Sequence, residues 1–194
     1  NMKKLFFLTL ALCTMLAVNA QKSKRDEGIK LGIKGGLNVA NLMGDAEDVA
    51  IRTSINIGMV AEIIVNDKFS IQPELLYSGQ GASNTFDGGG RTKLDYVLIP
   101  VLAKFPIASG LSVEAGPQLG FLVSAKYKDN ESNETVKDLY KTMDFGLDAG
   151  LEYELNSGVF FQGRYNLGLT DINNTDDNRR ISNGVIQFSI GILF

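Results

Sequence analysis

The segment that decides the fold is Leu111–Val123, with the sequence LSVEAGPQLGFLV. Its odd-numbered positions are all apolar, and its even-numbered positions are polar or glycine except at Leu122. An alternation with a period of two residues predicts a β-strand that has one apolar and one polar face. The segment is longer than the roughly five or six residues typical of soluble sheets. Its length suits a tilted strand that crosses a bilayer, which needs about 9–11 residues.

Seven other segments show a similar pattern, and the connections between them alternate in length. The segments lie at 29–42, 54–63, 69–78, 94–105, 145–154, 159–169 and 186–194. Connections 66–68, 106–110 and 156–158 are short, whereas 43–52, 80–91, 128–142 and 170–183 are long and polar. Short turns at one end and long loops at the other are typical of outer-membrane barrels. We therefore predict an all-β fold: an eight-stranded antiparallel up-and-down transmembrane β-barrel with both termini in the periplasm.

The N-terminal segment indicates export. Lys3 and Lys4 precede an apolar stretch at 5–18, which is too short to span a bilayer as a helix. Val18-Asn19-Ala20 has the small-x-small form of a signal-peptidase site. We predict a signal peptide at 1–20, cleaved between Ala20 and Gln21, and a barrel domain at 21–194 in the outer membrane of a Gram-negative bacterium.

The composition excludes several functional classes. The chain has no His, and its one Cys, Cys13, lies in the predicted signal peptide. Catalytic triads that use His, imidazole metal ligands and disulfides are therefore excluded for the mature chain. The formal net charge of −3 gives no indication of nucleic-acid binding. We predict a protein that is not an enzyme and that needs no cofactor or metal.

The polar face of the strands is predicted to line the lumen. Gly, Ser, Asn and Gln dominate it, and a lumenal charge network is predicted from Lys34, Glu62, Glu74, Lys104, Glu114, Asp148, Glu152 and Arg164. Buried charges are costly unless paired, so we expect Arg164 and Lys104 to contact carboxylates of Glu62, Glu74 or Glu114. A proton path or polar channel along these charges is the alternative.

The apolar face is predicted to contact outer-membrane lipid. It carries almost no charge, and a Lys or Arg facing lipid at mid-depth costs about 2–4 kcal/mol. Aromatic residues lie near both ends of the strands, as expected of two interfacial girdles. The predicted girdle residues are Phe69, Phe105, Tyr153 and Phe161 near the short turns, and Tyr77, Tyr96, Tyr127 and Tyr165 near the long loops.

Two further features concern glycine and the C-terminal strand. Gly32–Gly36 superficially looks like a phosphate-binding loop, but it lies in a strand pattern with no helix after it. We expect its glycines to relieve crowding where strands curve or a large side chain crosses the lumen. Phe188, Ile190, Ile192 and Phe194 share one face of the last segment. We interpret this row as the strand signal read by the barrel-assembly machinery during insertion.

The chain resembles the PorT-like family of small outer-membrane β-barrel proteins. The resemblance is carried by residues 31–42, 71–81, 94–105, 115–126, 144–155, 164–172 and 185–194. It implies an eight-stranded meander in the outer membrane. The namesake is associated with a protein secretion and gliding apparatus, so an accessory role in secretion is among the implied roles. Leu98 stands where family members often carry Glu, which predicts that Lys104 lacks a carboxylate partner at that position.

Three functions agree with these observations. The first is an integral barrel with a side-chain-filled lumen, acting structurally or through loops that bind a protein partner. The second is a narrow porin for small solutes. The third is a soluble, lipocalin-like ligand-binding barrel, in which the apolar face would point inward.

Overall fold

The computed structural model describes residues 28–46, 49–84, 90–129, 133–175 and 179–194. The predicted signal peptide and its cleavage site between Ala20 and Gln21 lie outside these ranges. No helix within them is both long enough and apolar enough to cross a membrane.

Eight long strands form one closed antiparallel sheet. They are β1 (Ile29–Gly44), β2 (Arg52–Asn66), β3 (Phe69–Asn84), β4 (Arg91–Ala108), β5 (Leu111–Lys128), β6 (Met143–Glu154), β7 (Val159–Gly168) and β8 (Ile181–Leu193). Each strand pairs with the next along the chain, and β8 pairs with β1. The predicted eight-stranded up-and-down barrel is therefore confirmed.

The seam between β1 and β8 closes the barrel over its whole length. Its ladder runs from Gly32 opposite Leu193 to Gly44 opposite Ile181. Beyond this ladder, the backbone groups of Leu31 and Phe194 exchange two hydrogen bonds of 3.1 and 2.8 Å. Lipid provides no partner for backbone N–H and C=O groups, so a sheet without edges is the arrangement that a bilayer requires.

The strand connections follow the predicted alternation. Turns 67–68, 109–110 and 155–158 lie at one end, called here the short-turn end. Connections 45–51, 85–90, 129–142 and 169–180 lie at the other, the long-loop end. Two short strands at that end, Val49–Ala50 and Asn133–Thr135, pair with β3 and β5, and Lys137–Leu139 forms one 3₁₀ turn.

The apolar face of the strands forms the outer wall. Ile57 and Ile190 expose 59% and 53% of their surface, whereas Glu74, Glu114 and Arg164 are buried. Leu119 is half-buried on the outward row. This distribution is opposite to that of a soluble barrel, and it matches a barrel whose outer surface contacts hydrocarbon.

The lumen is apolar toward the long-loop end, which the sequence analysis did not predict. A buried cluster there contains Leu42, Leu76, Ala82, Leu94, Tyr96, Leu98, Leu122, Ala125 and Ile172. Tyr96 is fully buried, so its predicted place in the outer girdle is wrong. Alternation within 94–105 favours the register in which Val97, Ile99, Val101 and Ala103 point away from Lys104. The same register puts Tyr96 in the lumen together with Lys104, as observed.

Candidate functional site

The barrel interior is the candidate site, and seven strands contribute charges to it. All eight residues of the predicted lumenal charge network are buried inside the barrel: Lys34, Glu62, Glu74, Lys104, Glu114, Asp148, Glu152 and Arg164. Each occupies an inward position of its strand, because side chains of a strand alternate between the two faces of the sheet. The structure thus brings all eight into one enclosed space.

Glu74 is the centre of this charged cluster. Its Oε2 atom lies 2.7 Å from Lys34 Nζ and 2.8 Å from Arg164 Nη2. Its Oε1 atom accepts a hydrogen bond of 3.0 Å from the Gln72 side-chain amide. Arg164 also lies near a second carboxylate, with 3.5 Å between Nη1 and Asp148 Oδ2. One carboxylate on β3 therefore forms ion pairs with cations on β1 and β7 across the lumen.

Gln162 links the centre to two further carboxylates. Lys34 Nζ donates to Gln162 Oε1 at 2.6 Å, and Gln162 Nε2 donates to Glu114 Oε2 at 3.0 Å and Glu152 Oε2 at 3.3 Å. In the sequence, Gln162 is one of the polar residues of its strand and carries no charge that would single it out. Its spacing of two residues from Arg164 was the available signal, because residues i and i+2 of a strand share a face.

A second charged cluster lies at the short-turn end of the lumen. Lys104 Nζ lies 2.5 Å from Glu152 Oε1 and 3.2 Å from Glu62 Oε1. Lys30 Nζ lies 3.0 Å from Glu154 Oε1. A cavity of about 340 Å³ opens at this end, and Lys30, Glu62, Lys104 and Glu154 are among its lining residues.

The observed ion pairs differ in part from the predicted ones. Arg164 contacts Glu74, and Lys104 contacts Glu62, as expected. Glu114 pairs with neither cation in the described residues, and its Oε1 atom has no hydrogen-bond partner there. Leu98 supplies no carboxylate, but Lys104 has a close second one in Glu152. The second carboxylate partner of Lys104 thus comes from β6.

Side-chain amides and hydroxyls occupy the lumen beyond the central charges. Asn38 lies four residues from Lys34 on β1, and its amide donates to Ser78 Oγ at 2.8 Å. Asn56 donates to Asn38 Oδ1 at 2.7 Å, and Ser189 donates to Asn56 Oδ1 at 2.9 Å. These contacts connect β1, β2, β3 and β8, so small polar side chains fill the space between strands on that side.

Loop residues close the long-loop end. Ile172, from connection 169–180, is fully buried in the apolar cluster, and Ala46, Val136, Tyr140 and Ile181 pack against that cluster. Burial also raises the pKa of the Tyr140 hydroxyl. Segments from three long connections thus form an apolar cap over the lumen.

Asp171 organises the loop that carries Ile172. Its Oδ1 atom accepts the backbone N–H groups of Ile181 at 3.0 Å and Asn173 at 3.1 Å, and Lys141 Nζ lies 3.1 Å from Oδ2. The Ile181 N–H is the largest cause of the lowered pKa of this carboxyl group. No group of three or more His, Cys, Asp or Glu residues in the described ranges has an arrangement that would hold a metal ion.

The outward row of β8 is exposed from Ile186 to Ile192. Phe188, Ile190, Ile192 and Phe194 all point away from the lumen, and Phe194 exposes 76% of its surface. These side chains therefore lie on the lipid-facing side of the closing strand.

Comparisons with known proteins agree with this geometry. A family model described as outer membrane protein beta-barrel domain matches residues 19–174. No curated protein matches the chain. Neisserial surface protein A has 14% identity and a TM-score of 0.58, over 87% of this chain and all of that one. Ail, the attachment invasion locus protein of Yersinia pestis, has 14% identity and a TM-score of 0.53, over 85% and 98%. These likenesses show the fold.

Proposed function

Because the chain belongs to the outer membrane protein β-barrel domain family, we propose that it is a closed, non-conducting barrel whose loops carry its function. The observation that carries this proposal is the apolar cap, in which Ile172 and Tyr140 from the loops pack onto Leu98 and Leu122 in the lumen. An apolar constriction disfavours hydrated ions. The ion pairs around Glu74 fill the lumen below that cap.

Planar-bilayer conductance tests this proposal. We expect the refolded mature protein to pass almost no ions. The variant L98A/L122A, which widens the apolar cluster, should conduct, and the outward-facing control I57A should behave like the unmodified protein. Heat-modifiable migration on a denaturing gel verifies that each variant is folded. Stable channels formed by the unmodified protein would contradict the proposal.

A narrow porin is the second candidate, and the cavity at the short-turn end favours it. This cavity of about 340 Å³ reaches Lys104, where close pairs with Glu62 and Glu152 occupy the lumen. The conductance experiment also decides this candidate. A soluble lipocalin-like barrel is not favoured, because Ile57 and Ile190 are exposed on the outer wall.

We also propose that both termini and the short turns face the periplasm. The support is the number of strands, which is even, and the contrast between short and long connections. Glu134→Cys on a long connection should be labelled on intact cells by a thiol reagent that does not cross membranes. Asn156→Cys in a short turn should be labelled only after the outer membrane is permeabilised. The reverse pattern would contradict this orientation.

An accessory role in protein secretion is a finer proposal that rests on the resemblance to the PorT-like family. In such a role the long connections would bind the protein partner. Deletion of the gene should then reduce the amount of secreted protein in the medium. Restoration by the full chain, but not by a chain whose connection 129–142 is replaced with a short turn, would support the role. Unchanged secretion in the deletion strain would contradict it.

A further inference from the structure

Four cations lie together at the long-loop end of β4 and β5. Arg91 pairs with Lys128, and Lys93 pairs with Lys126, in the antiparallel register. The next pair in the ladder, Leu94 with Ala125, is buried in the lumen. Because side chains alternate between faces, the four cations all belong to the outward face. We call them the cationic patch.

The strands that flank the patch supply no acidic side chain on its face at the same level, because Glu134 of the short strand pairs with Tyr127 and so belongs to the other face. On one side, Gly81 and Ser83 of β3 pair with Lys93 and Arg91. On the other side, the short strand Asn133–Thr135 pairs Thr135 with Lys126 and Asn133 with Lys128. None of the four cations forms an ion pair with a carboxylate in the described residues.

The nearest outward carboxylate on β4 is already engaged. Asp95 lies one outward position from Lys93 on β4 and interacts electrostatically with Arg52 and with the Tyr77 hydroxyl. Elsewhere at the same end of the barrel, Lys141 has a carboxylate partner in Asp171. The cationic patch is thus a local excess of positive charge.

Such an arrangement favours an anionic ligand. Like charges directly opposite each other on neighbouring strands are destabilising, and here two such pairs are adjacent. Lys137, whose Nζ atom lies 3.5 Å from the Val123 carbonyl oxygen, adds a further cation beside β5, at a position five residues before Lys128. A ligand with several negative charges would remove this repulsion.

The position of the patch identifies the chemistry of the ligand. The outward row of β4 is apolar from Val97 to Phe105. Lys93 lies four residues before Val97, a distance of about 13 Å along a strand. The patch therefore begins where the lipid-facing band ends, at the level of lipid headgroups. Lys and Arg form strong charge-assisted hydrogen bonds with phosphate oxygens.

We propose that the cationic patch binds the phosphate groups of lipopolysaccharide, the phosphorylated glycolipid of the outer leaflet. The inference rests on the proposed orientation, which places the long-loop end outside the cell. Lipopolysaccharide bound there would contact only the part of the barrel wall that β4 and β5 form.

The test measures binding of purified lipopolysaccharide to the full mature protein in detergent. We expect K93Q/K126Q to bind at least tenfold more weakly than the unmodified protein, and the affinity of the unmodified protein to fall with added salt. The matched control K68Q/R180Q removes two exposed cations outside the patch and should bind normally. Heat-modifiable migration verifies that both variants are folded.

Two outcomes would overturn the inference. One is equal affinity of K93Q/K126Q and K68Q/R180Q for lipopolysaccharide. The other is equal affinity of the unmodified protein for lipopolysaccharide and for phosphatidylglycerol, which would indicate a general anionic-lipid surface. Labelling of Glu134→Cys separates the causes of failure. If that residue is labelled from outside and the affinities are equal, the orientation stands and the patch inference fails. Labelling only from the periplasm would overturn both.

Discussion

At the scale of single residues, Glu74 and Glu114 are two buried glutamates with different surroundings. Glu74 contacts both Lys34 and Arg164 at hydrogen-bond distance. Glu114 has one hydrogen bond, from Gln162, and no ion pair in the described residues. Removing one partner of a buried ion pair leaves an uncompensated charge, whereas removing an unpaired charge does not.

We therefore predict that Glu74→Gln lowers the free energy of unfolding by about 3–5 kcal/mol. Glu114→Gln should leave it unchanged or raise it, because the new amide oxygen still accepts the hydrogen bond from Gln162. Urea-induced unfolding of both variants in the same lipid vesicles provides the measurement. Equal destabilisation by the two substitutions would contradict the assigned roles.

The inward position of each charge could be predicted from the sequence, but its partner could not. Alternation places Lys104 and Glu152 in the lumen because both share a face with small polar residues. Whether they meet depends on strand tilt and stagger, which set how β4 and β6 approach across the barrel. The girdle prediction for Tyr96 is wrong because it depends on the residue's place near a strand end. Closeness to a strand end does not show which face of the strand carries the ring.

At the scale of elements, the seam between β1 and β8 requires glycine at Gly36 but not at the neighbouring Gly35. A Cβ atom at Gly36 would overlap the carbonyl oxygen of Phe188, in the backbone of β8. At Gly35 the nearest atom to such a Cβ, the Asn56 carbonyl oxygen, is 3.6 Å away. The predicted role of these glycines, to relieve crowding, is confirmed for Gly36.

Gly36→Ala should accordingly destabilise the barrel by about 1–3 kcal/mol, the cost of forcing extra atoms into a well-packed site. Gly35→Ala is the matched control and should change the free energy of unfolding much less. The midpoint of heat-modifiable migration compares the two variants. A larger effect of Gly35→Ala would show that the seam is built differently.

The outward row of β8 provides a separate prediction about insertion. Deletion of Phe194 would also remove its two backbone hydrogen bonds with Leu31, so substitution is the cleaner test. Phe194→Ala should reduce the yield of inserted protein in the outer membrane, because the assembly machinery would lose an exposed aromatic anchor. The control Phe161→Ala removes another exposed ring on β7 and should insert normally. Equal yields for the two variants would refute the signal role.

Element boundaries were less predictable than the elements themselves. Strand β4 runs from Arg91 to Ala108, beyond the 94–105 segment recognised from the sequence. Pairing continues past the apolar band because a ladder, once started, is extended by backbone hydrogen bonds that any residue makes. The register shift between Asp95 and Tyr96 opposite β5 leaves no signal in hydrophobicity. The extra residue, Val123, lies on β5, and because of it Leu122 and Ala125 both point inward although they are three positions apart.

At the scale of the whole molecule, the barrel combines an apolar outer wall with a polar, side-chain-filled interior. Many large apolar side chains of the outward rows are exposed, as Ile57 and Ile190 illustrate, whereas the charged cluster around Glu74 is enclosed. A water-soluble barrel with this surface would expose far more apolar area than monomeric proteins normally do. The family match to outer membrane β-barrel domains agrees with a barrel whose outer wall contacts lipid.

Lipid-dependent quenching of single tryptophans tests this central claim most directly, because the chain contains no Trp. Ile57→Trp places the probe on the outer wall, and Phe160→Trp places it in the lumen, where Phe160 is fully buried. In vesicles with brominated acyl chains, we expect strong quenching of Ile57→Trp and little quenching of Phe160→Trp. Strong quenching of Phe160→Trp with an unaffected Ile57→Trp would contradict the account.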